Sequence, residues 1–428
     1  MRPVTHRVTT TSARPARFIL RACLAGFFLC FAGFSYAQNG LNSIYSAYGI
    51  GDVQLRDYNG YYGMGGLGAA MPSITTLNEN NPASYGYLPH NRMMMELSFG
   101  GKTANYVNST QNVNAGDFTI QKATMGFSLF KNWGTAFGLR KYSTVDYMTS
   151  GSRFLIGTDT KMTSKIDGTG GLNQFFFSNG VRIKKHLNLG LSLTYLSGSV
   201  NRKETVDADV SSALTVDKNT YYGNFVFNAG AQYQFRMGKW KWIAGGTYQP
   251  ERRLTQTIDN SITDASGNTL VKDESVNGYF DYPSLWSAGL TMYNDNWKFG
   301  ADYIRQNWND VNYKGSGFQT TNSNNYSAGL SYTQPRKTIF GYMDGPTYSV
   351  GVNLDQSYLI IDGTQVVSVA GTAGISLPSR SNLYHYHFAI KAGQRGTSTY
   401  PLVKETFVEF NFNVSLASLL FTGGEKYR

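Results

Sequence analysis

From about residue 92 to its end, this chain alternates apolar and polar residues almost one for one, which is the period of a β-strand and leaves little room for helices. Leu187, Leu189, Leu191, Leu193 and Tyr195 interleave with Asn188, Gly190, Ser192 and Thr194. Phe225, Phe227, Ala229, Ala231, Tyr233 and Phe235 alternate with Asn224, Asn228, Gly230, Gln232 and Gln234, and Val408, Phe410, Phe412, Val414 and Leu416 with Glu409, Asn411, Asn413 and Ser415. In a soluble sandwich the apolar face is the core. In a membrane barrel it meets lipid and the polar face lines the lumen. Alternation alone leaves both open.

Loop lengths separate them. Short links such as Lys131-Asn132-Trp133-Gly134, Lys184-Lys185-His186, Met237-Gly238-Lys239 and Asn294-Asp295-Asn296 alternate with long polar stretches at roughly 104–116, 149–171, 201–219, 256–278 and 308–324. Short turns at one rim and long loops at the other are the outer-membrane pattern. Strands are expected to begin near 92, 117, 133, 173, 187, 221, 239, 281, 297, 325, 346, 365, 383 and 403. The expected fold class is all-β: a transmembrane antiparallel β-barrel of about 14 strands over 92–428.

Residues 1–37 read as a signal peptide: Arg2, Arg7, Arg14, Arg17 and Arg21 precede an apolar core, Ala22 to Phe34, and a Ser35-Tyr36-Ala37 cleavage site. Both cysteines, Cys23 and Cys30, fall within it, so the processed chain has no thiol for disulfides, metal binding or nucleophilic catalysis. Removing the leader lowers the formal charge from +11 to +6, with 33 basic against 27 acidic residues and no Lys/Arg-rich run. That argues against nucleic acid as a partner.

Residues 38–91 differ from the rest. They carry Gly49, Gly51, Gly60, Gly63, Gly65, Gly66 and Gly68 with little periodicity, yet Ile44, Tyr45, Tyr48, Ile50, Tyr61, Tyr62, Met64 and Leu67 are too apolar for solvated disorder. Such a segment must bury itself, and a wide lumen is available. It is expected to form an N-terminal hatch, or plug.

Two stretches resemble the FadL/TodX family of outer-membrane transporters of long-chain fatty acids and hydrocarbons. The first is Gly63-Met64-Gly65-Gly66-Leu67-Gly68-Ala69-Ala70, followed by Asn81-Pro82-Ala83; the second is Tyr282-Pro283-Ser284-Leu285-Trp286, continuing through Trp297 and Trp308-Asn309. Ala392-Gly393-Gln394-Arg395-Gly396-Thr397 with Leu402-Val403-Lys404-Glu405 resembles FadL-like barrels of Bacteroidetes. The chain departs from the proteobacterial pattern in ending Glu425-Lys426-Tyr427-Arg428 without a terminal aromatic residue. The resemblance implies a hatch containing Gly65, Gly66 and Gly68, anchored where Asn81, Pro82 and Ala83 meet the wall; an ordinary Asn-Pro turn is the alternative. It also implies a kinked third strand opening toward the membrane, for which Gly134 and Gly138 are the candidates. The plainer alternative is that these glycines make room for the plug.

His385 and His387 share a lumen-facing side, but no third metal ligand is identifiable, and interfacial girdles explain most of Trp240, Trp242, Trp286, Trp297 and Trp308, particularly those at strand ends. No catalytic constellation, metal site or cofactor motif stands out. The expected function is passive, hatch-gated passage of hydrophobic molecules such as long-chain fatty acids. Partners would be outer-membrane lipid, a hydrophobic small-molecule ligand and the barrel-assembly machinery. The family also includes barrels serving type IX secretion, so a structural or secretion-associated barrel without small-molecule transport is the alternative.

Overall fold

Burial is inverted along the strands. Leu191 is 56% exposed while its neighbour Ser192 is 6% exposed, and Asn188, Thr194, Gln232, Asn411 and Asn413 are buried. Leu189, Leu193, Tyr195, Phe225, Phe227, Tyr233 and Phe410 all stand outward and exposed. Apolar side chains outside and polar ones inside are the membrane-barrel arrangement, which a sandwich with an oily core would reverse. Among the described residues no helix is long and apolar enough to cross a membrane. The crossing is made by strands.

This computed structural model describes residues 43–419 except 109–110, 155–160, 185, 208–212, 274, 312, 316 and 339–340. The expected leader, 1–37, lies outside the described residues. By internal contacts the chain divides into residues 1–39 and 40–428, and everything described belongs to the second unit.

Fourteen antiparallel strands close the barrel. They are β1 (Arg92–Val107), β2 (Asn112–Phe130), β3 in two segments (Trp133–Lys141 and Ser143–Phe154), β4 (Lys161–Ile183), β5 (Leu187–Asp207), β6 (Leu214–Met237) and β7 in two segments (Trp240–Gln249 and Arg252–Thr263). There follow β8, also in two segments (Val276–Tyr282 and Leu285–Tyr293), β9 (Trp297–Gln306), β10 (Ser323–Thr338), β11 (Gly341–Ile361), β12 (Thr364–Pro378), β13 (Tyr384–Arg395) and β14 (Lys404–Leu419). β1 pairs with β14 from Arg92↔Leu419 to Val107↔Lys404, which shuts the cylinder.

The polar stretches expected to be loops are largely strand. Thr149 pairs with Ile166, Thr205 with Thr215, and Gln256 with Gly278. β4, β5 and β6 run 23, 21 and 24 residues, whereas about 9–11 residues cross a bilayer. Beyond the membrane both faces of the sheet meet water, so alternation vanishes while the backbone ladder continues. The starts of β2, β4, β6 and β8 were therefore expected 5–12 residues too late.

Because Leu191 faces lipid near the middle of β5, Leu191→Arg is expected to destabilise the barrel by about 2–4 kcal/mol. Urea titration of the protein refolded in phospholipid vesicles measures this. Ser192→Thr, on the inner face, is the mild control.

Candidate functional site

The barrel interior is occupied by residues 43–91, an irregular segment with short 3-10 turns at Ile44–Ala47, Tyr62–Met64 and Pro82–Tyr87. An irregular backbone can be buried only if its N–H and C=O groups find partners. The wall supplies them. Thr372 Oγ1 accepts from Gly65 N and donates to the Gly63 carbonyl, both at 2.9 Å, while Asn353 Nδ2 donates to the Gly65 carbonyl at 2.7 Å. The Asp302 carboxylate accepts from Gly68 N at 2.6 Å and Ala69 N at 2.8 Å. Gln232 Nε2 donates to the carbonyls of Ala69 and Met71, both at 3.1 Å.

Asn81 is both a cap and a tether. Its backbone is extended, its side-chain oxygen accepts from Ala83 N at 3.0 Å, and Pro82 starts the six-residue 3-10 turn that follows. Its Nδ2 donates to the Ala69 carbonyl at 2.6 Å and reaches the wall carbonyls of Ala231 and Gly246 at 3.3 and 3.4 Å. Gly65 and Gly66 have φ of +80° and +67°, a conformation that favours glycine. Gly68 has Asn80 against it, with no room for a side chain.

Opposite the segment, glycines align across the wall. Gly180, Gly190 and Gly230 pair in register on β4, β5 and β6, and Gly300, Gly329 and Gly351 on β9, β10 and β11. A Cβ on Gly190 would lie 2.2 Å from Pro82 C, and one on Gly245 would lie 2.1 Å from Ala69 O. These rows let two backbones touch.

Ion pairs fasten the segment. Arg56 forks onto Asp355, Asp52 meets Arg395 at 2.9 Å, and Lys122 on β2 lies 3.2, 2.8 and 2.8 Å from Asp57, Glu79 and Glu96. One ammonium does not neutralise three buried carboxylates. Burial and the adjacent Asp57 hold the Glu79 carboxyl well above the usual carboxylate range. Burial opposes ionisation of Asp57 too, but Lys122 overrides it and keeps that group below its ordinary value.

Toward the rim with the long hairpins the interior changes character. Tyr45 and Ile50 of the segment pack with Tyr142, Leu172, Leu196, Tyr222, Leu254, Phe280, Tyr282, Trp308, Tyr358 and Leu359. Trp308 stacks on Tyr358 with ring centroids 4.2 Å apart. Trp308 is fully buried and so is not a girdle residue; Trp286 and Trp297 do stand outward. His385 and His387 are buried, His387 beside Gly60 of the segment with Ser376 Oγ 2.6 Å from its Nδ1.

The wall is parted between β2 and β3. β2 pairs with β3 only from Lys122↔Arg140 to Phe130↔Trp133. Among the described residues no backbone ladder joins Asn112–Gln121 to Ser143–Phe154. Instead a two-residue strand of the segment, Asp52–Val53, pairs with Thr144 and Ser143, and Gln54 N donates to the Tyr142 carbonyl at 2.7 Å. Gly170 and Gly171 on β4, with φ of +114° and +132°, allow the neighbouring strand to follow this inward turn. Phe118 and Ile120 border the gap on its outer side, and Lys141 Nζ donates across it to Thr119 Oγ1 at 3.0 Å. Gly134 and Gly138 lie on the same strand but in its fully paired lower segment. Gly134 faces Tyr85 and Leu88 of the segment, and Gly138 faces the backbone of Ala123 and Thr124. The break falls at Tyr142, and the adjacent Gly170-Gly171 pair was the sequence signal for it.

Known proteins can be set beside this geometry. A family model described as BamG matches residues 19–426. The Ralstonia pickettii toluene transporter TbuX superposes with a TM-score of 0.56 at 16% identity, covering 83% of this chain and 97% of that one. A Pseudomonas aeruginosa FadL homologue gives 0.57 at 13%, covering 85% and 98%, and the Pseudomonas putida toluene transporter TodX gives 0.54 at 15%, covering 87% and 100%. No curated protein matches in sequence. The fold is thus the FadL/TodX barrel, and the chain is integral to a Gram-negative outer membrane.

Two substitutions test the packing of the segment. Gly245→Val is expected to cost about 1–3 kcal/mol through overpacking and to expose residues 43–91 to protease. Gly371→Val, at a glycine with no atom within 4 Å of an added Cβ, should be silent in both urea titration and proteolysis. Lys122→Met leaves buried carboxyls without their cation and is expected to cost about 3–5 kcal/mol. That loss should shrink as pH falls, because the orphaned carboxyls then take up protons.

Proposed function

The chain belongs to the BamG family, and for this member we propose passage of hydrophobic molecules across the outer membrane by passive diffusion, with residues 43–91 as the hatch. The observation that carries this reading is the parted wall between β2 and β3. A water-filled porin gains nothing from a gap that opens on acyl chains. For an apolar solute the same gap is an exit that avoids the aqueous periplasm. The aromatic cluster around Trp308, Tyr358 and Tyr282 would receive the solute at the outer rim. Burial contributes roughly 25 cal/mol per Å² of apolar area, so a long-chain fatty acid or an aromatic hydrocarbon needs no charged partner to bind there. In this scheme Asn81, Pro82 and Ala83 hold the hatch on the glycine row of β4 to β6, Gly65, Gly66 and Gly68 shape its tight turns, and its outer portion yields.

A second reading, a stationary barrel serving barrel assembly or a secretion complex, is favoured by the family name, which belongs to the barrel-assembly nomenclature, and by the ion pairs that fasten the segment.

Liposomes bearing the purified protein distinguish the two. Labelled palmitate and labelled toluene should enter faster than in protein-free vesicles, while glucose should not. In a Thr119→Cys/Lys141→Cys variant, a short bismaleimide tether across the gap should return uptake to background. Uptake indifferent to the tether would remove the lateral exit. Absence of apolar uptake by the folded wild type would leave the stationary reading.

A further inference from the structure

On the outer surface, Phe175, Tyr195 and Phe225 lie in one register across β4 to β6 and Arg253 pairs with Asp281 across β7 and β8, the two groups meeting just below the point where the β6–β7 ladder ends at Gly223↔Thr255. Below this row the outward residues are apolar, as at Phe177, Leu193 and Phe227; above it they turn polar, as at Asn173, Ser197 and Thr255. The row therefore marks the level where acyl chains give way to headgroups. At this level β7 breaks between Gln249 and Arg252, and the break opens a notch of about 520 Å³ lined by Asn224, Phe225, Phe227, Glu251, Arg252 and Arg253.

Both arginines are exposed at this notch. The Arg252 guanidinium lies 5.2 Å from the Phe227 ring and, among the described residues, pairs with no carboxylate. Arg253 uses Nε on Asp281 at 3.1 Å, and its side chain is 75% exposed. Asn224 Nδ2 donates to the Arg253 carbonyl at 2.6 Å and fixes the backbone between the two strands. Guanidinium groups above lipid-facing aromatic rings match an amphiphile whose phosphate sits directly above its acyl chains. We propose that this notch is a binding site for a phosphate-bearing lipid of the outer leaflet, with the phosphate on Arg252 and Arg253 and an acyl chain along Phe225 and Phe227. Glu251 borders the same notch and opposes the anion, so it sets how tightly the lipid is held.

Native mass spectrometry of the full-length protein in dodecylmaltoside, titrated with diphosphorylated lipid A, reads this site. Each arginine near a membrane surface contributes about 1 kcal/mol, so Arg252→Gln should weaken retention roughly fivefold and Arg252→Gln/Arg253→Gln roughly thirtyfold. Glu251→Gln should strengthen it. Arg252 makes no ion pair among the described residues, so the single variant keeps the test valid if the double variant misfolds, as judged by heat-modifiable gel mobility. Equal lipid retention by wild type and Arg252→Gln overturns the proposal. Displacement of lipid A by an equal concentration of inorganic phosphate would also overturn it, by showing a free-anion site without a lipid component.

Discussion

An irregular peptide segment inside a membrane-spanning cylinder has no solvent to satisfy its amides, so its placement depends on the wall answering group by group. This barrel does so with an inner face of Thr372, Asn353, Asp302, Gln232, Asn413 and Ser98, whose side chains bond the backbone of residues 58–71. The constraint acts in both directions. Those inward polar groups are themselves buried and would be unsatisfied in an empty, dry lumen. Segment and wall are therefore one polar network, and the glycine rows are what bring the two backbones close enough to form it.

The same exchange explains the break in the wall. Antiparallel neighbours normally satisfy each other along their whole length, yet the upper segment of β3 turns its edge away from β2 and accepts Asp52–Val53 instead. The hydrogen bonds lost between strands are in part recovered between strand and segment. A gap in a barrel wall would otherwise expose unpaired backbone to lipid, which is costly. Here the segment covers the edge from within, through its backbone bonds to residues 142–144.

Much of this was legible beforehand. Membrane strands with one lipid-facing side announce themselves by strict alternation, as from Leu187 to Tyr195, because one register puts every apolar residue outside. The burial of residues 43–91 was legible from composition, since glycine-rich chain with many tyrosines is too apolar to stay in solvent. The strand extensions beyond the bilayer were not legible. With water on both faces, Thr, Asn and Ser are acceptable at every position and carry no phase. Trp308 could not be told apart from the girdle tryptophans, because a tryptophan near a strand end has the same sequence context whether it turns outward to the interface or inward to Tyr358. The break at Tyr142 was missed for a related reason: a single residue between two strand segments leaves the period intact. Only the Gly170-Gly171 pair on the adjacent strand marked it.

The fastenings of the segment are unevenly distributed, and this bears on how it would move. From Asp52 to Glu79 it is held by ion pairs and carboxylate–amide bonds, which are directional and expensive to separate in a poorly hydrated interior. Tyr45 and Ile50, by contrast, sit in the aromatic cluster with Trp308, Tyr282 and Tyr142. Apolar contacts are non-directional, so an incoming hydrophobic molecule can replace them at little net loss. Tyr142, whose carbonyl receives Gln54 N at the break, belongs to that cluster as well. A solute entering beside Tyr142 would therefore compete with the outer end of the segment at the point where that segment covers the edge of β3, while Lys122, Asp57 and Glu79 held the remainder in place.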